Sequence, residues 1–143
     1  MSESKLTVRY AETDQMGIAH HSVYPVWYEV ARTELMKKMG IQYSRLEKMG
    51  AMLPVLEVHC KYLRPVKYED ELRICTRISS MGAAKIQFEY TVYKQGSETP
   101  VNRGVTLHGW VDSDTFRPIN FKKKFPDIYQ MIAQAADCNE KRI

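Results

Sequence analysis

Cysteine is scarce. Cys60, Cys75 and Cys138 are the only three in 143 residues, widely spaced and without a C-x-x-C pair. That excludes a disulfide framework, offers no zinc-ligand spacing, and fits reduced thiols in a cytoplasm. Long apolar runs are also missing. None approaches the ~20 residues that span a bilayer, and MSESKLTVRY at the start has no apolar stretch of the kind a secretory signal carries. The seven glycines form no G-x-G-x-x-G and no P-loop, so no dinucleotide or nucleotide site of those types is expected. G-x-S-x-G is absent too, which removes the nucleophile elbow. Without repeats, low-complexity segments or a Pro/Gly/Ser-rich linker, residues 1–143 read as one domain, long enough to bury a core unaided. Excess charge is small, with 21 Lys+Arg against 17 Asp+Glu. The densest basic run, Lys122–Lys124, reads as a solvated loop. With no RNP-like or finger pattern beside it, no nucleic-acid partner is expected.

What is present is a run of alternating segments around one helical segment. KLTVRY (5–10) alternates as a strand, with Leu6, Val8 and Tyr10 on one side. Residues 12–21 form a loop around Gly17. A helix follows from Ser22 to Lys38, with Ser22 as N-cap, Pro25 in the first turn and Gly40 beyond its end. Tyr24, Trp27, Tyr28, Ala31, Leu35 and Met39 recur at helical spacing, and Val26 and Val30 add a second apolar side, which predicts a helix buried most of the way round. Residues 43–50 read as a short second helix closed by Gly50. Strands are expected at 55–63, 70–78, 84–94 and 101–112, with a hairpin at Met81–Gly82. A last helix is expected at 125–136, with Ile128, Met131, Ile132 and Ala135 inward. Consecutive strands joined by short turns make an antiparallel sheet, and one long buried helix must pack across it, an α+β architecture.

The stretch ETDQMGIAHHSVY (12–24) carries the candidate chemistry. Asp14 sits between the first strand and the helix. Free N–H groups at a helix start polarise a carbonyl oxygen and stabilise an oxyanion, and a carboxylate beside them is placed to react. The same N–H groups also hold a capping or turn aspartate, and the residues alone leave both readings open. His20 and His21 are adjacent and point apart, so at most one faces a site. A metal site drawing on His59, Cys60 and His108 lacks ligand spacing. A triad of Ser22, His21 and Asp14 requires Ser22 to be free of its cap. Glu29 and Arg32, three apart on the helix, read as a salt bridge. Arg64, Lys85 and Arg117 fall near strand ends or turns and read as solvated.

VRYAETDQMGIAHHSVYPVWYEVARTE (8–34) resembles the opening of the 4-hydroxybenzoyl-CoA thioesterase-like hotdog proteins. The pattern T-D-x-x-G-[IV]-[VA]-x-[HY]-x-x-Y followed by E-x-A-R falls on Thr13, Asp14, Gly17, Ile18, Ala19, His21, Tyr24, Glu29, Ala31 and Arg32. KYLRPVKYEDEL (61–72), AAKIQFEYTV (83–92) and GWVDSDTFRPI (109–119) resemble the later strands in order. The resemblance implies a hotdog fold, a five-stranded antiparallel sheet wrapped around the long helix. It also implies a homodimer or homotetramer with interfacial active sites, and hydrolysis of an acyl-CoA thioester. No cofactor is implied beyond the coenzyme A carried by the substrate. By the same resemblance Asp14 is the catalytic carboxylate, as nucleophile or general base. The His21 backbone N–H polarises the carbonyl and its side chain assists. Gly17, Ser22, Tyr24 and Tyr28 contact substrate, with Trp27 beside them. The basic cluster that the aryl-CoA enzymes carry in a hairpin aligns near Gly82–Ala84 and is missing here, leaving Lys85 and Arg117 as candidates for the CoA phosphates. Two rival readings follow from the same fold. One is a dehydratase-like enzyme pairing His21 or His59 with Glu29. The other is a non-catalytic acyl-thioester or interaction module. A thiol leaving group needs less acid assistance than an amine, so a carboxylate and an oxyanion site suffice for hydrolysis.

Overall fold

The computed structural model describes residues 1–136; Cys138 lies outside them. Five strands form one antiparallel sheet: β1 (Ser2–Thr7), β3 (Val55–Tyr62), β4 (Glu71–Met81), β5 (Lys85–Lys94) and β6 (Pro100–Gly109), in the order β1-β4-β5-β6-β3. Alternation builds its inner face. Leu72, Ile74, Thr76 and Ile78 of β4, and Ile86, Phe88, Tyr90 and Val92 of β5, are all buried. The expected hairpin forms where the Gly82 N–H donates to the Lys85 carbonyl at 2.9 Å. Helix α1 (Tyr24–Lys38) packs across this face. Its Tyr28, Ala31 and Met36 are fully buried, so the hotdog arrangement is realised.

Several boundaries differ from the sequence reading. The first strand covers Ser2–Thr7 rather than 5–10. The Glu12 carboxylate accepts the Arg9 N–H at 2.8 Å and turns residues Tyr10–Glu12 into a 3₁₀ turn, leaving Tyr10 exposed. Ser22 does not cap α1. It lies inside a second 3₁₀ turn, His21–Val23, and its own N–H and hydroxyl both meet His20 Nδ1. Val26 and Val30 are 51% and 42% exposed, so α1 is not buried all round in a single chain. Arg32 turns inward to Tyr90 Oη at 3.1 Å, and no ion pair with the exposed Glu29 forms.

Helix α2 (Tyr43–Met49) ends as expected, with Gly50 left-handed at φ 107. The final strand breaks at Trp110, whose N–H is drawn to the Ala84 carbonyl at 2.8 Å. Beyond it β7 (Val111–Asp112) pairs instead with β2 (Ala51–Met52). Lys122–Lys124 are exposed, but in a short helix α3 (Phe121–Lys124) anchored by the buried Phe121 and capped by Asn120. In α4 (Pro126–Ala135) Tyr129 and Ile132 are buried, while Met131 and Ala135, expected inward, are exposed. Among the described residues no helix is long and apolar enough to cross a membrane.

Candidate active site

The Asp14 loop is a tight turn clamped on both sides. The Asp14 N–H donates to the Ile18 carbonyl and the Gly17 N–H donates back to the Asp14 carbonyl, each at 2.9 Å. Gly17 closes the turn at φ +81, a conformation that side-chain-bearing residues enter at a cost. Outside the turn, the Ala19 N–H reaches the Val66 carbonyl and the His20 N–H the Glu12 carbonyl, both at 2.8 Å. The loop is thereby tied to the segment after β3 and to the 3₁₀ turn before it.

Asp14 itself is half-buried. Its Oδ1 accepts the Met16 N–H at 2.9 Å, which orients the carboxylate and leaves Oδ2 available. Facing it is a cleft of about 340 Å³ lined by Asp14, Met16, Ile18, Ala19, His21 and Tyr24 on one side and by Tyr62, Leu63, Arg64 and Pro65 on the other. Tyr24 is buried against Trp27 and Tyr62, at ring separations of 4.7 and 5.3 Å. Burial, reinforced by Tyr62 and Cys60, pushes its phenol up to about 12, so it stays neutral at physiological pH. The Tyr62 hydroxyl donates to the His21 carbonyl at 3.0 Å and fixes the strand edge against the start of the helix. At the first position of the 3₁₀ turn, the His21 N–H meets no backbone acceptor outside the helices and strands among the described residues.

The structure gathers some of the expected residues and separates others. Asp14, His21 and Tyr24 share the cleft. Gly17 shapes the turn without lining it. Ser22 is exposed and bound to His20 at 2.7 Å. Tyr28 belongs to the core, stacked on Tyr90 at 4.3 Å with its hydroxyl on Asn102 Oδ1, and does not line the cleft. Trp27 is likewise committed, donating its indole N–H to Glu12 Oε2 at 2.8 Å. Lys85 pairs with Gly109 at the opposite end of β6 from Asn102, which neighbours Tyr62. That is roughly 20 Å from the cleft at the ordinary strand rise. Arg117 lies beyond β7, at the same far end. Glu29 lines a different cavity, so one chain does not pair it with His21. Among the described residues no three His, Cys, Asp or Glu side chains cluster as metal ligands.

Sequence reasoning missed the far wall, Tyr62–Pro65. Its only local signal is the Arg64–Pro65 dipeptide that ends the strand, and nothing nearby in the chain ties that segment to residue 14. The contact is made by Ala19 against Val66.

Comparison with known proteins converges on one group. The model of the thioesterase-like superfamily matches residues 8–140. The Bacillus subtilis protein YneP, provisionally named an acyl-CoA thioesterase, is 39% identical over 135 residues, covering 94% of this chain and 97% of YneP. Among solved structures, a DHNA-CoA thioesterase from Staphylococcus aureus superposes with a TM-score of 0.89 at 29% identity, covering 94% of this chain and 89% of that one. The Thermus thermophilus protein TT1821 superposes with a TM-score of 0.84 at 31% identity, covering 94% and 98%.

Proposed function

The chain belongs to the thioesterase-like superfamily, and on that premise we propose that it is an acyl-CoA thioesterase whose reaction takes place in the cleft around Asp14. One observation carries the assignment. A carboxylate oriented through one oxygen shares a cleft with a residue at the start of the helical segment whose backbone N–H meets no backbone acceptor outside the helices and strands among the described residues. The thioester carbonyl oxygen takes the His21 N–H, and charge developing on it is stabilised there. Asp14 Oδ2 either attacks the carbonyl carbon or takes a proton from an attacking water. In the first case the C–S bond breaks, the CoA thiolate leaves and water cleaves the acyl-aspartyl anhydride. In the second the acid forms directly and the proton passes to the thiolate. Tyr24 and Leu63 supply apolar wall for the acyl group, and Arg64 supplies the cleft's cationic side chain for the CoA phosphates.

The active assembly is a homodimer or a tetramer built from it. β3 is a sheet edge with Leu56, Val58 and Tyr62 exposed, and unpaired edges of this kind associate. A two-fold pairing of β3 edges is antiparallel and sets the Val55 end of one against the Tyr62 end of the other. The partner's Lys85 then lies at the cleft's end of the joined sheet, which returns it as a phosphate ligand across the interface. The unpaired thiols of Cys60 and Cys75 suit a cytoplasmic setting.

The test is release of free CoA thiol from short, long, branched and aromatic acyl-CoAs, followed by a thiol-trapping reagent. Asp14→Asn keeps the shape and removes the charge. It is expected to lower kcat by about 10²-fold or more while leaving the protein folded. Unchanged turnover by Asp14→Asn would remove Asp14 from the mechanism.

A further inference from the structure

A second cavity, also of about 340 Å³, opens between α1, α2, β2 and the segment after β7, and none of its lining residues belongs to the Asp14 cleft. Leu46, Leu53 and Pro54 give it apolar walls, and Arg32, Tyr43 and Trp110 add polar groups. Arg32 is only 9% exposed, yet among the described residues it has no ion-pair partner. Its hydrogen bond runs from Nη1 to the Tyr90 phenol at 3.1 Å. Among the described residues the buried indole N–H of Trp110 makes no hydrogen bond, and the buried hydroxyl of Tyr43 has the Arg32 guanidinium beside it, an all-donor group that leaves the Tyr43 O–H without an acceptor. A guanidinium withdrawn from water without a counter-charge, beside two unmet polar groups, is unfavourable as it stands.

The inner side of this cluster is already satisfied. Tyr90 Oη meets Thr106 Oγ1 at 2.6 Å, Thr106 meets His108 Nε2 at 2.9 Å, and His108 Nδ1 meets the Leu53 carbonyl at 3.2 Å. What remains is donor capacity in residues that line the cavity. The complement to a guanidinium and an indole N–H is a planar anionic acceptor, and a carboxylate matches the guanidinium fork. Two exposed carboxylates, Glu29 and Glu47, also line the cavity and oppose a polyanion such as phosphate. Together with the apolar walls they narrow the ligand to a monocarboxylate on a hydrocarbon or aromatic body. We infer that this cavity is a binding site for a small apolar monocarboxylate, with Arg32 paired to the carboxylate and Tyr43 and Trp110 donating to it.

The inference stands apart from the catalytic assignment and is read by binding alone. In ¹⁵N-labelled protein the indole N–H signals of Trp27 and Trp110 are separable, with Trp110→Phe for assignment. Trp27 is already bonded to Glu12 and serves as the internal reference. Sodium benzoate is expected to move the Trp110 indole proton downfield and saturably, with Trp27 unmoved. Benzyl alcohol, its neutral counterpart, and sodium chloride are expected not to do so. Loss of a charge-assisted bond in Arg32→Gln should weaken benzoate binding by about tenfold or more, and Tyr43→Phe by a smaller factor. Should Arg32→Gln not fold, the benzoate and benzyl alcohol titrations of the unaltered protein decide the matter. A Trp110 signal that benzoate leaves in place, an equal response to benzyl alcohol, or unchanged benzoate affinity in Arg32→Gln would overturn the inference.

Discussion

Glu12 and Asp14 stand two residues apart with the same charge and opposite surroundings. Glu12 is buried and accepts the Arg9 N–H, the Trp27 indole N–H and the Arg9 guanidinium. Burial raises its pKa, but these donors together outweigh it and hold the carboxyl below its ordinary value. Its stabilising contribution is therefore present above the unfolded carboxylate pKa and is lost as pH falls through the lower folded one. Glu12→Ala strands the Trp27 donor and is expected to cost about 2 kcal/mol in urea denaturation, more than Glu12→Gln, which retains an acceptor. His108 gives the opposite case of a buried base. Burial, with Arg32 nearby, lowers it to about 4. The unfolded chain takes up the proton first, so stability is flat above about pH 6.5, falls as pH drops from there towards 4, and levels off below. The loss amounts to about 3 kcal/mol. Comparing denaturation at pH 7 and pH 4.5 should show this dependence reduced in His108→Asn, whatever that substitution costs at neutral pH.

At the scale of elements, β6 is the departure. By hydropathy alone Val105 and Leu107 belong inside, yet Asn102, Gly104, Thr106 and His108 are the buried row. Two constraints from elsewhere in the fold explain the reversal. Gly104 leaves room for the Tyr28 ring of α1, where an added Cβ would lie 2.3 Å from ring atoms. Thr106 and His108 continue the polar chain that begins at Arg32. Gly104→Ala is expected to push Tyr28 out of place and lower stability by about 2–3 kcal/mol by overpacking, measured as a shift in denaturation midpoint. The same alternation rule worked for β4 and β5 because their inner rows are mostly apolar side chains packed in the core, with Thr76 and the Tyr90 phenol as the polar members.

At the scale of the molecule, the exposed apolar residues follow a pattern. Val26 and Val30 on α1, and Leu56 and Val58 on β3, are left open by the single chain. β3 pairs Val58 with Thr106 and Tyr62 with Asn102, so these side chains share the sheet face that α1 covers elsewhere. In the proposed dimer a second copy completes this face. Val58→Lys puts a charge in the middle of it and is expected to shift the protein to monomer in light scattering behind size exclusion, with loss of thioesterase activity. A lysine variant that stays dimeric would relocate the interface.

Periodicity along the chain was enough for the order of elements, the hairpin after Met81, the buried side of α1 and the glycine ends of α1 and α2, because each depends on residues within a turn or two of one another. That Asp14, Gly17 and His21 sit together at the turn before the helix was legible for the same reason, since that stretch spans about ten residues; the roles given to them come from the family resemblance. Tertiary structure decided what depends on distant segments. It set the Tyr62–Pro65 wall opposite Asp14, moved Tyr28 and Trp27 from the site into the core, and sent Lys85 and Arg117 to the far end of the sheet. It also turned Arg32 away from the expected salt bridge with Glu29 and inward to Tyr90, a buried charge without an ion-pair partner among the described residues. A side chain's partner across the sheet is set by register, and register is fixed by the summed packing of many strands at once, which no local stretch of this chain encodes.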